Sequence, residues 1–434
     1  MSSVPEYRGP FGKAQAERLL WRAGFGAKAG EADALAKLGF KHAVHALTRP
    51  APYQLVGPAP TADRGRPLAP AAVLGDDHLS WLDRMIRTNA PLIERMTLVW
   101  HSWFATSNLG VGSQQLMLNQ VDMFRGNALG KFSDLFMNVT EDPAMLIWLN
   151  GNQNVKGHPN ENYAREMMEL FSLGADRGAY TETDVREQAR ALTGWTGGVN
   201  KGVIGSFGFN PARHDSGSKT IFGQTGNFAW QDSVNLCLSH PMHPSYFTGK
   251  LWSYFVPTPP DAATAGALQS LYTSTGFDVH PVVEAILQHP DFYSSPRMVK
   301  PPVVLNAGLL RTIGRPIDTS VWTTLSAAAG QQLFYPPDVG GWDYTRWLDT
   351  ATWRARWFIA ALAAATNPPA ASPGDPALLV AAATSFWGDP TLSGQTQSLL
   401  LSFATAQLKR KASPTDVETA LRRLVASCPD LQTA

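Results

Sequence analysis

Residues 160–174 concentrate side chains that could do chemistry within one short predicted helix. At about 100° per residue, the polar side chains of this helix fall on one side and the apolar ones on the other. The polar set contains three carboxylates, one amide and one guanidinium, namely Glu161, Asn162, Arg165, Glu166 and Glu169. Such a pattern is typical either of a solvated face with a Glu161–Arg165 pair at i, i+4 spacing or of the wall of a polar site.

Carboxylates on neighbouring helix turns can act as general acid and general base, for example on a glycosidic bond. Glu166 is the first candidate for this role, and Glu161 or Glu169 is the candidate for the second carboxylate. Arg165 and Asn162 would then bind hydroxyl groups of the substrate. This interpretation predicts a hydrolase-type enzyme that acts on a carbohydrate-type substrate.

A histidine that meets carboxylates in a helical bundle can instead hold a divalent metal ion. His101 is the candidate, either as a ligand beside Glu166 and Glu169 or as a supporting group in acid–base catalysis. The Glu-x-x-His pair typical of such bundle sites does not occur in the chain. A metal-dependent enzyme therefore remains an alternative, and the sequence specifies no cofactor.

Two later groups of residues could contact a ligand. His214 and Lys219 lie in a glycine-rich stretch and could bind an anion, although a histidine in such a loop more often takes part in a hydrogen-bonded turn. Trp342 and Asp343 follow a pair of glycines. The tryptophan could stack on a sugar ring, or it could anchor a tight turn in the core.

Composition excludes several classes of function. The 434 residues include 36 basic and 35 acidic ones, so no overall field would recruit nucleic acid. The two cysteines, Cys237 and Cys428, fit neither a disulfide framework nor a cysteine zinc site. The N-terminal residues lack the apolar core of a signal peptide, and no run reaches about 18 apolar residues. These features predict a cytoplasmic protein without a membrane span.

Helical periodicity dominates the chain, and alternating β-branched runs are scarce. We therefore predict a mainly α fold, with a large helical body and a small irregular or β insertion. Residues 1–434 are predicted to form a single large helical domain. Within it we expect an irregular Pro/Ala-rich excursion at 49–77, a Gly-rich insertion with two or three short strands at 194–228, and a C-terminal helical segment at 376–434.

Several blocks along the chain carry a family resemblance. They are LLWRAGFG (19–26), VWHSWFAT (99–106), DPAML (142–146), KGHPNENYARE (156–166), YTE (180–182), ALTGW (191–195), Lys219 with Gly223, MVKP (298–301) and PPDVGGW (336–342). With these blocks the chain resembles the large bacterial family known as domain of unknown function 1800. The resemblance implies no assigned reaction. It also implies that many relatives are exported and that their genes often lie beside those of sulfatase-like proteins.

Two positions depart from the pattern of that family. Its members often carry histidines where this chain has Trp103 and Phe171, which speaks against a histidine-rich metal site here.

An internal network of arginine and glutamate would also explain Glu161 and Glu166 without chemistry. The second hypothesis is therefore a non-catalytic helical scaffold or binding protein with a protein partner. The enzyme hypothesis requires that His101, Glu166 and their neighbours line one open cleft; the substrate and the oligomeric state stay open.

Overall fold

The structure is a computed structural model, and it describes residues 3–434. Its first part is helical, as the apolar periodicity predicts. Helices α1 to α10 have the bounds Lys13–Arg22, Glu31–Leu38, Phe40–Thr48, Asp76–Arg87, Pro91–Trp103, Asn108–Val111, Gln114–Gly126, Phe132–Glu141, Pro143–Trp148 and Asn162–Glu166.

The second part of the chain is also mainly helical, which confirms the predicted fold class. Helices α11 to α23 have the bounds Glu182–Ala191, Trp230–Ser239, His243–Ser253, Ala262–Ser274, Val279–Gln288, Pro290–Ser294, Pro302–Ile313, Val321–Ala328, Thr350–Ala364, Pro376–Phe386, Gly394–Lys409, Pro414–Ser427 and Pro429–Gln432. None of the helices in the described part of the chain is long and apolar enough to cross a lipid bilayer.

Strands occur between α11 and α12. Strands β1 to β6 have the bounds Trp195–Thr196, Val199–Asn200, Val203–Ile204, Gly208–Phe209, Lys219–Ile221 and Gln224–Gly226. They form three antiparallel two-stranded ribbons, which pair β1 with β4, β2 with β3, and β5 with β6. The described residues thus contain more strands than the two or three expected, because strands of two or three residues are too short to show an alternating pattern.

The predicted helix of residues 160–174 changes its winding partway along. After α10, residues Met167–Ser172 form a π-helix, in which the Leu173 N–H donates to the Met168 carbonyl at 2.8 Å. The Ser172 hydroxyl also bonds back to the Met167 carbonyl at 2.6 Å. A regular spacing of 100° per residue therefore does not hold to the end of the segment, and Glu169 is rotated away from its expected direction.

The core is built around large aromatic side chains. The largest fully buried residues include Trp81, Trp100, Trp103, Trp252 and Trp322.

At the C-terminal end, α20, α21 and α22 pack on one another, and α22 also packs on α19. The final residues return to the body, where the backbones of Met298 and Ala434 exchange two hydrogen bonds of 2.7 and 2.8 Å.

The irregular segment at 49–77 is also bonded to the body. The Thr61 N–H donates to the carbonyl of Ile317 at 2.9 Å, and the Gln54 N–H donates to the side chain of Asn89 at 2.7 Å. The Asp63 carboxylate accepts hydrogen bonds from the hydroxyls of Thr319 and Ser320. These contacts tie the segment to the turn that follows α4 and to the residues that precede α18.

Candidate functional site

A cavity of about 720 Å³ opens where elements from distant parts of the sequence converge. Its walls come from the end of α1, from α5, from the C-terminal half of α13 and from two loops at 297–301 and 339–348. The π-helix adds Leu170. Four of the sequence blocks that carry the family resemblance contribute lining residues, namely 19–26, 99–106, 298–301 and 336–342.

The lining of this cavity is cationic and aromatic. Its basic side chains are Arg22, Arg95, Lys250, Arg297 and Lys300. Its aromatic side chains are Trp21, Trp103, Tyr254, Trp342, Tyr344 and Trp347. Within residues 3–434, no aspartate or glutamate is among the lining residues. The positive charges at this cavity are therefore not balanced by aspartate or glutamate side chains on its walls.

Arg95 is the lining cation that the protein leaves unpaired. It lies on α5 with 7% of its surface exposed, and its Nε and Nη1 atoms are buried without a hydrogen-bond partner. Burial lowers the pKa of its guanidinium to about 10, which leaves it fully charged at neutral pH. An uncompensated buried charge of this kind is rare, because desolvation costs several kcal/mol.

Lys250 lies on α13 above the indole of Trp103. Its Nζ atom is 4.3 Å from the centre of the Trp103 ring and donates one hydrogen bond of 2.8 Å to the carbonyl of Leu170. Burial lowers the pKa of the amine to about 7. At neutral pH the protonated and neutral amines are thus both substantially populated.

Two tyrosines flank Lys250 on the same helix face. Tyr246 and Tyr254 stand four residues before and after it, and their ring centres lie 6.2 and 6.3 Å from that of Trp103. The Tyr246 hydroxyl donates to the Leu170 carbonyl at 2.6 Å. Because the π-helix ends at Ser172, this carbonyl has no partner in the helix, and it holds the lysine and the tyrosine instead.

The remaining lining cations are held by protein groups. Arg22 is 2% exposed and donates to the carbonyls of Phe255, Phe292, Pro296 and Ala434 and to the Ser295 hydroxyl. The Lys300 Nζ donates to the Leu431 carbonyl at 2.6 Å and lies 3.6 Å from the centre of the Trp21 ring. Arg297 pairs with Asp430 at 3.1 Å. These three side chains therefore stabilise the structure of the cavity wall.

Of the residues predicted as a site, Trp342 lines the cavity and His101 packs beneath it. The two ring centres are 5.3 Å apart. His101 is fully buried, and its Nε2 accepts a hydrogen bond of 3.1 Å from the Phe334 N–H. Burial lowers its pKa to about 3, so the ring is neutral. His101 thus helps to position the loop that carries Trp342.

That loop also approaches α5 closely. Gly341 has a φ of +87°, and a Cβ there would lie 3.3 Å from the Ser102 carbonyl. Asp343, on the outer side, is exposed and accepts a hydrogen bond of 3.0 Å from the Thr345 N–H. It does not line the cavity.

The polar side chains of α10 and the π-helix are also absent from the cavity wall. Arg165 bonds to Glu182 at 2.8 Å and to Glu161 at 3.3 Å, in a partly exposed group. Asn162 is exposed, and its N–H donates to the Asn160 side chain at 3.0 Å. The segment therefore contributes Leu170 to the cavity, while its charged groups lie elsewhere.

Glu166 and Glu169 are close enough to influence each other. Glu166 is partly buried, and both its burial and the charge of Glu169 raise its pKa, while Arg165 partly opposes the shift. Burial, together with the charge of Glu169 and a hydrogen bond to it, raises the pKa of Tyr180 to about 12.

His214 and Lys219 lie together in the glycine-rich insertion, where both are bonded to backbone. The His214 Nδ1 donates to the Thr193 carbonyl at 2.9 Å. Lys219 is 1% exposed, and its Nζ donates to the carbonyls of Asp215 and Gly217. Asp215 also pairs with Arg190 at 2.8 Å. These groups tie the insertion to α11.

The placement of possible metal ligands is relevant to the alternative of a metal-dependent enzyme. Between Ser3 and Ala434, no group of three or more histidine, cysteine, aspartate or glutamate side chains is placed to hold a metal ion. Trp103 and Phe171 are in contact, because the Trp103 Nε1 donates to the Phe171 carbonyl at 3.1 Å.

Sequence reasoning missed Arg95 and Lys250 as site residues. A readable signal existed for Lys250, because Tyr246, Lys250 and Tyr254 recur at i, i+4 spacing and so share one helix face. Arg95 has no such signal, since the lack of a partner is a property of the folded chain.

Comparisons with known proteins support the resemblance seen in the sequence. A family model described as "Protein of unknown function (DUF1800)" matches residues 18–433, nearly the whole chain. The chain matches neither a curated protein nor a solved structure.

Proposed function

Since this chain belongs to the DUF1800 family of proteins of unknown function, we propose its function from its own cavity: it binds an organic anion there, through Arg95. The observation that carries this proposal is the buried guanidinium of Arg95, whose Nε and Nη1 have no partner. Because these two atoms have almost no accessible surface, an anion in the cavity would meet the guanidinium at its third nitrogen, Nη2. It would compensate the charge there in surroundings of low dielectric constant, where charge-assisted hydrogen bonds are strong.

The size and the lining of the cavity favour an anion that carries a ring. Small-molecule pockets usually measure about 300–1,000 Å³, and a single inorganic phosphate would leave most of this 720 Å³ cavity unfilled. Trp342 is partly exposed and Tyr344 is largely exposed, and both offer aromatic surfaces on the wall. Such surfaces pack against aromatic rings and against the apolar faces of sugars. The carbohydrate-type substrate expected from the sequence fits this proposal as a sugar acid or a sugar phosphate.

Calorimetric titration with charged and uncharged pairs of compounds tests the proposal. Suitable pairs are benzoate with benzyl alcohol, phenyl phosphate with phenol, and glucuronate with glucose. We expect one or more of the anions to bind with a 1:1 stoichiometry and their neutral counterparts to bind at least about tenfold more weakly, since the neutral compounds leave Arg95 unpaired. The pair that binds best identifies the ring.

Two variants make this test specific. Arg95→Gln should weaken binding of the preferred anion by about 10²-fold or more, because a charge-assisted hydrogen bond to a buried group is lost. Arg410→Gln removes the same charge from an exposed helix end and should leave the affinity unchanged. Equal binding of anions and neutral compounds, or equal affinity in the parent and Arg95→Gln, would contradict the proposal.

A second candidate function rests on Glu166 and Glu169. The pKa of Glu166 is raised by its burial and by Glu169, which is the direction expected for a general acid, although His101 and Glu166 do not line the cavity described above. The pairing of Arg165 with Glu161 and Glu182 favours the other hypothesis, a helical scaffold or binding protein. A hydrolase screen of the parent and of Glu166→Gln separates the two. Turnover that is lost in a folded variant supports catalysis, whereas a parent without turnover supports the scaffold.

A further inference from the structure

We propose that Lys250 is a nucleophile that forms an imine with the carbonyl carbon of a 2-oxo acid whose carboxylate is bound by Arg95. This inference rests on the proposed anion-binding function and adds a substrate class to it. The amine lines the cavity, lies on the face of Trp103 and is fixed by a single hydrogen bond to the Leu170 carbonyl. Two of its three donor positions are therefore not used by that carbonyl.

The surroundings of the amine suit this chemistry. A lysine is nucleophilic only as the neutral amine, and burial among apolar groups favours that form. No aspartate or glutamate lines the cavity within residues 3–434, so no acidic side chain of the wall holds the ammonium form by an ion pair. Burial is also the cause that lowers the pKa of Lys250 to about 7. The other ionisable side chains that line the cavity are Arg22, Arg95, Tyr254, Arg297, Lys300 and Tyr344, none of which is acidic at neutral pH.

The reaction balances without an oxidant or a reductant. The lone pair of the Lys250 Nζ attacks the carbonyl carbon, and one proton of the amine passes to the carbonyl oxygen to give a carbinolamine. The C–O bond then breaks, and the hydroxyl leaves as water with the second proton of the amine as the C=N bond forms. Tyr254 stands one helix turn from Lys250 and lines the same cavity, and its burial keeps the pKa of its hydroxyl above the ordinary value. It therefore stays protonated and can donate a hydrogen bond to the carbonyl oxygen.

Sodium cyanoborohydride tests this proposal because it reduces an imine to a stable secondary amine. Phenylpyruvate is the probe, since it combines a 2-oxo acid with an aromatic ring. We expect mass spectrometry to find one adduct per chain, located at Lys250. Labelling should be faster at pH 8 than at pH 6, because more of the amine is neutral. Phenyl phosphate lacks a carbonyl group and should protect the site by competition.

Two variants and a binding measurement complete the design. Lys250→Arg keeps the positive charge and should lose the adduct, whereas Lys37→Arg removes an exposed lysine and should label as the parent does. Calorimetry with phenylpyruvate runs in parallel. If phenylpyruvate binds and Arg95→Gln weakens its binding, but no adduct forms at Lys250, the imine is overturned and the anion site stands. If phenylpyruvate and the other anions all fail to bind, both proposals fail.

Discussion

Arg95 and Arg22 line the same cavity, but the protein treats their charges differently. Arg22 donates six hydrogen bonds to oxygens of the protein, whereas Arg95 has buried nitrogen atoms without a partner. A buried charge that is fully bonded contributes to the fold. A buried charge that is not bonded lowers stability, and proteins accept such a loss mainly at binding sites.

The stability of the ligand-free protein should reflect this difference. We expect Arg95→Met to be as stable as the parent or more stable by up to about 2 kcal/mol, because an apolar side chain replaces an uncompensated charge. Arg22→Met should lose about 3 kcal/mol or more, because several buried carbonyls lose their donor. Urea unfolding measures both. A marked loss of stability in Arg95→Met would show that the protein itself holds this guanidinium.

The pKa of Lys250 also predicts how stability depends on pH. An unfolded lysine titrates near 10.4, whereas the buried amine titrates at about 7. Between these values the unfolded chain binds a proton that the folded protein lacks, so this lysine makes stability rise with pH. From pH 7 to 9 the parent should gain up to about 1.4 kcal/mol per pH unit relative to Lys250→Met. Parallel pH profiles of the parent and the variant would contradict the assignment.

At the level of elements, sequence predicts most helices but not the π-helix. Capping residues act locally: Asp142 accepts from the Met145 N–H, and Thr181 from the Asp184 N–H, as aspartate and threonine commonly do at the start of a helix. The winding of Met167–Ser172 depends on distant partners. Trp103, Tyr246 and Lys250 donate to the carbonyls of this segment. No property of residues 160–174 alone specifies these contacts.

The close packing of α17 on the end of α1 gives a prediction for the cavity wall. A Cβ on Gly308 would lie 2.2 Å from the Trp21 ring, whereas a Cβ on Gly266 in α14 would meet no atom within 4 Å. Gly308→Ala should displace the Trp21 indole, lower the free energy of unfolding by about 1–3 kcal/mol and weaken ligand binding.

Gly266→Ala is the matched control for this substitution. It should raise stability by about 0.5–1 kcal/mol through helix propensity, with no effect on binding. Chemical unfolding and calorimetry measure the two quantities. If both variants behave alike, the contact between α17 and Trp21 has no structural importance.

At the scale of the whole molecule, sequence predicts the fold class because helical periodicity is a local property. The candidate site is different. The block at 156–166 led to the charged face of α10, but the cavity combines Trp21, Arg95, Lys250, Lys300 and Trp342. These residues are separated by tens to hundreds of positions, and nothing in one sequence joins them. Only Trp342 belongs both to the residues predicted as a site and to the cavity wall.

Ligand binding should stabilise the folded chain as a whole. An anion that binds only the folded state, at a concentration of 100 times its Kd, adds about 2.7 kcal/mol to the free energy of unfolding. We expect the thermal midpoint of the parent to rise with the concentration of the preferred anion. The midpoint of Arg95→Met should not respond. An equal response in both proteins would place the binding site outside this cavity.

A crystal structure with 4-bromobenzoate would show whether an organic anion occupies the cavity with its charged group on Arg95, because anomalous scattering from bromine locates the ring. We expect a bromine peak inside the cavity, with the carboxylate within hydrogen-bond distance of the Arg95 guanidinium and the ring against Trp342 or Tyr344. A well-ordered structure in which the carboxylate lies elsewhere, or in which Arg95 pairs with a carboxylate of the protein itself, would contradict it.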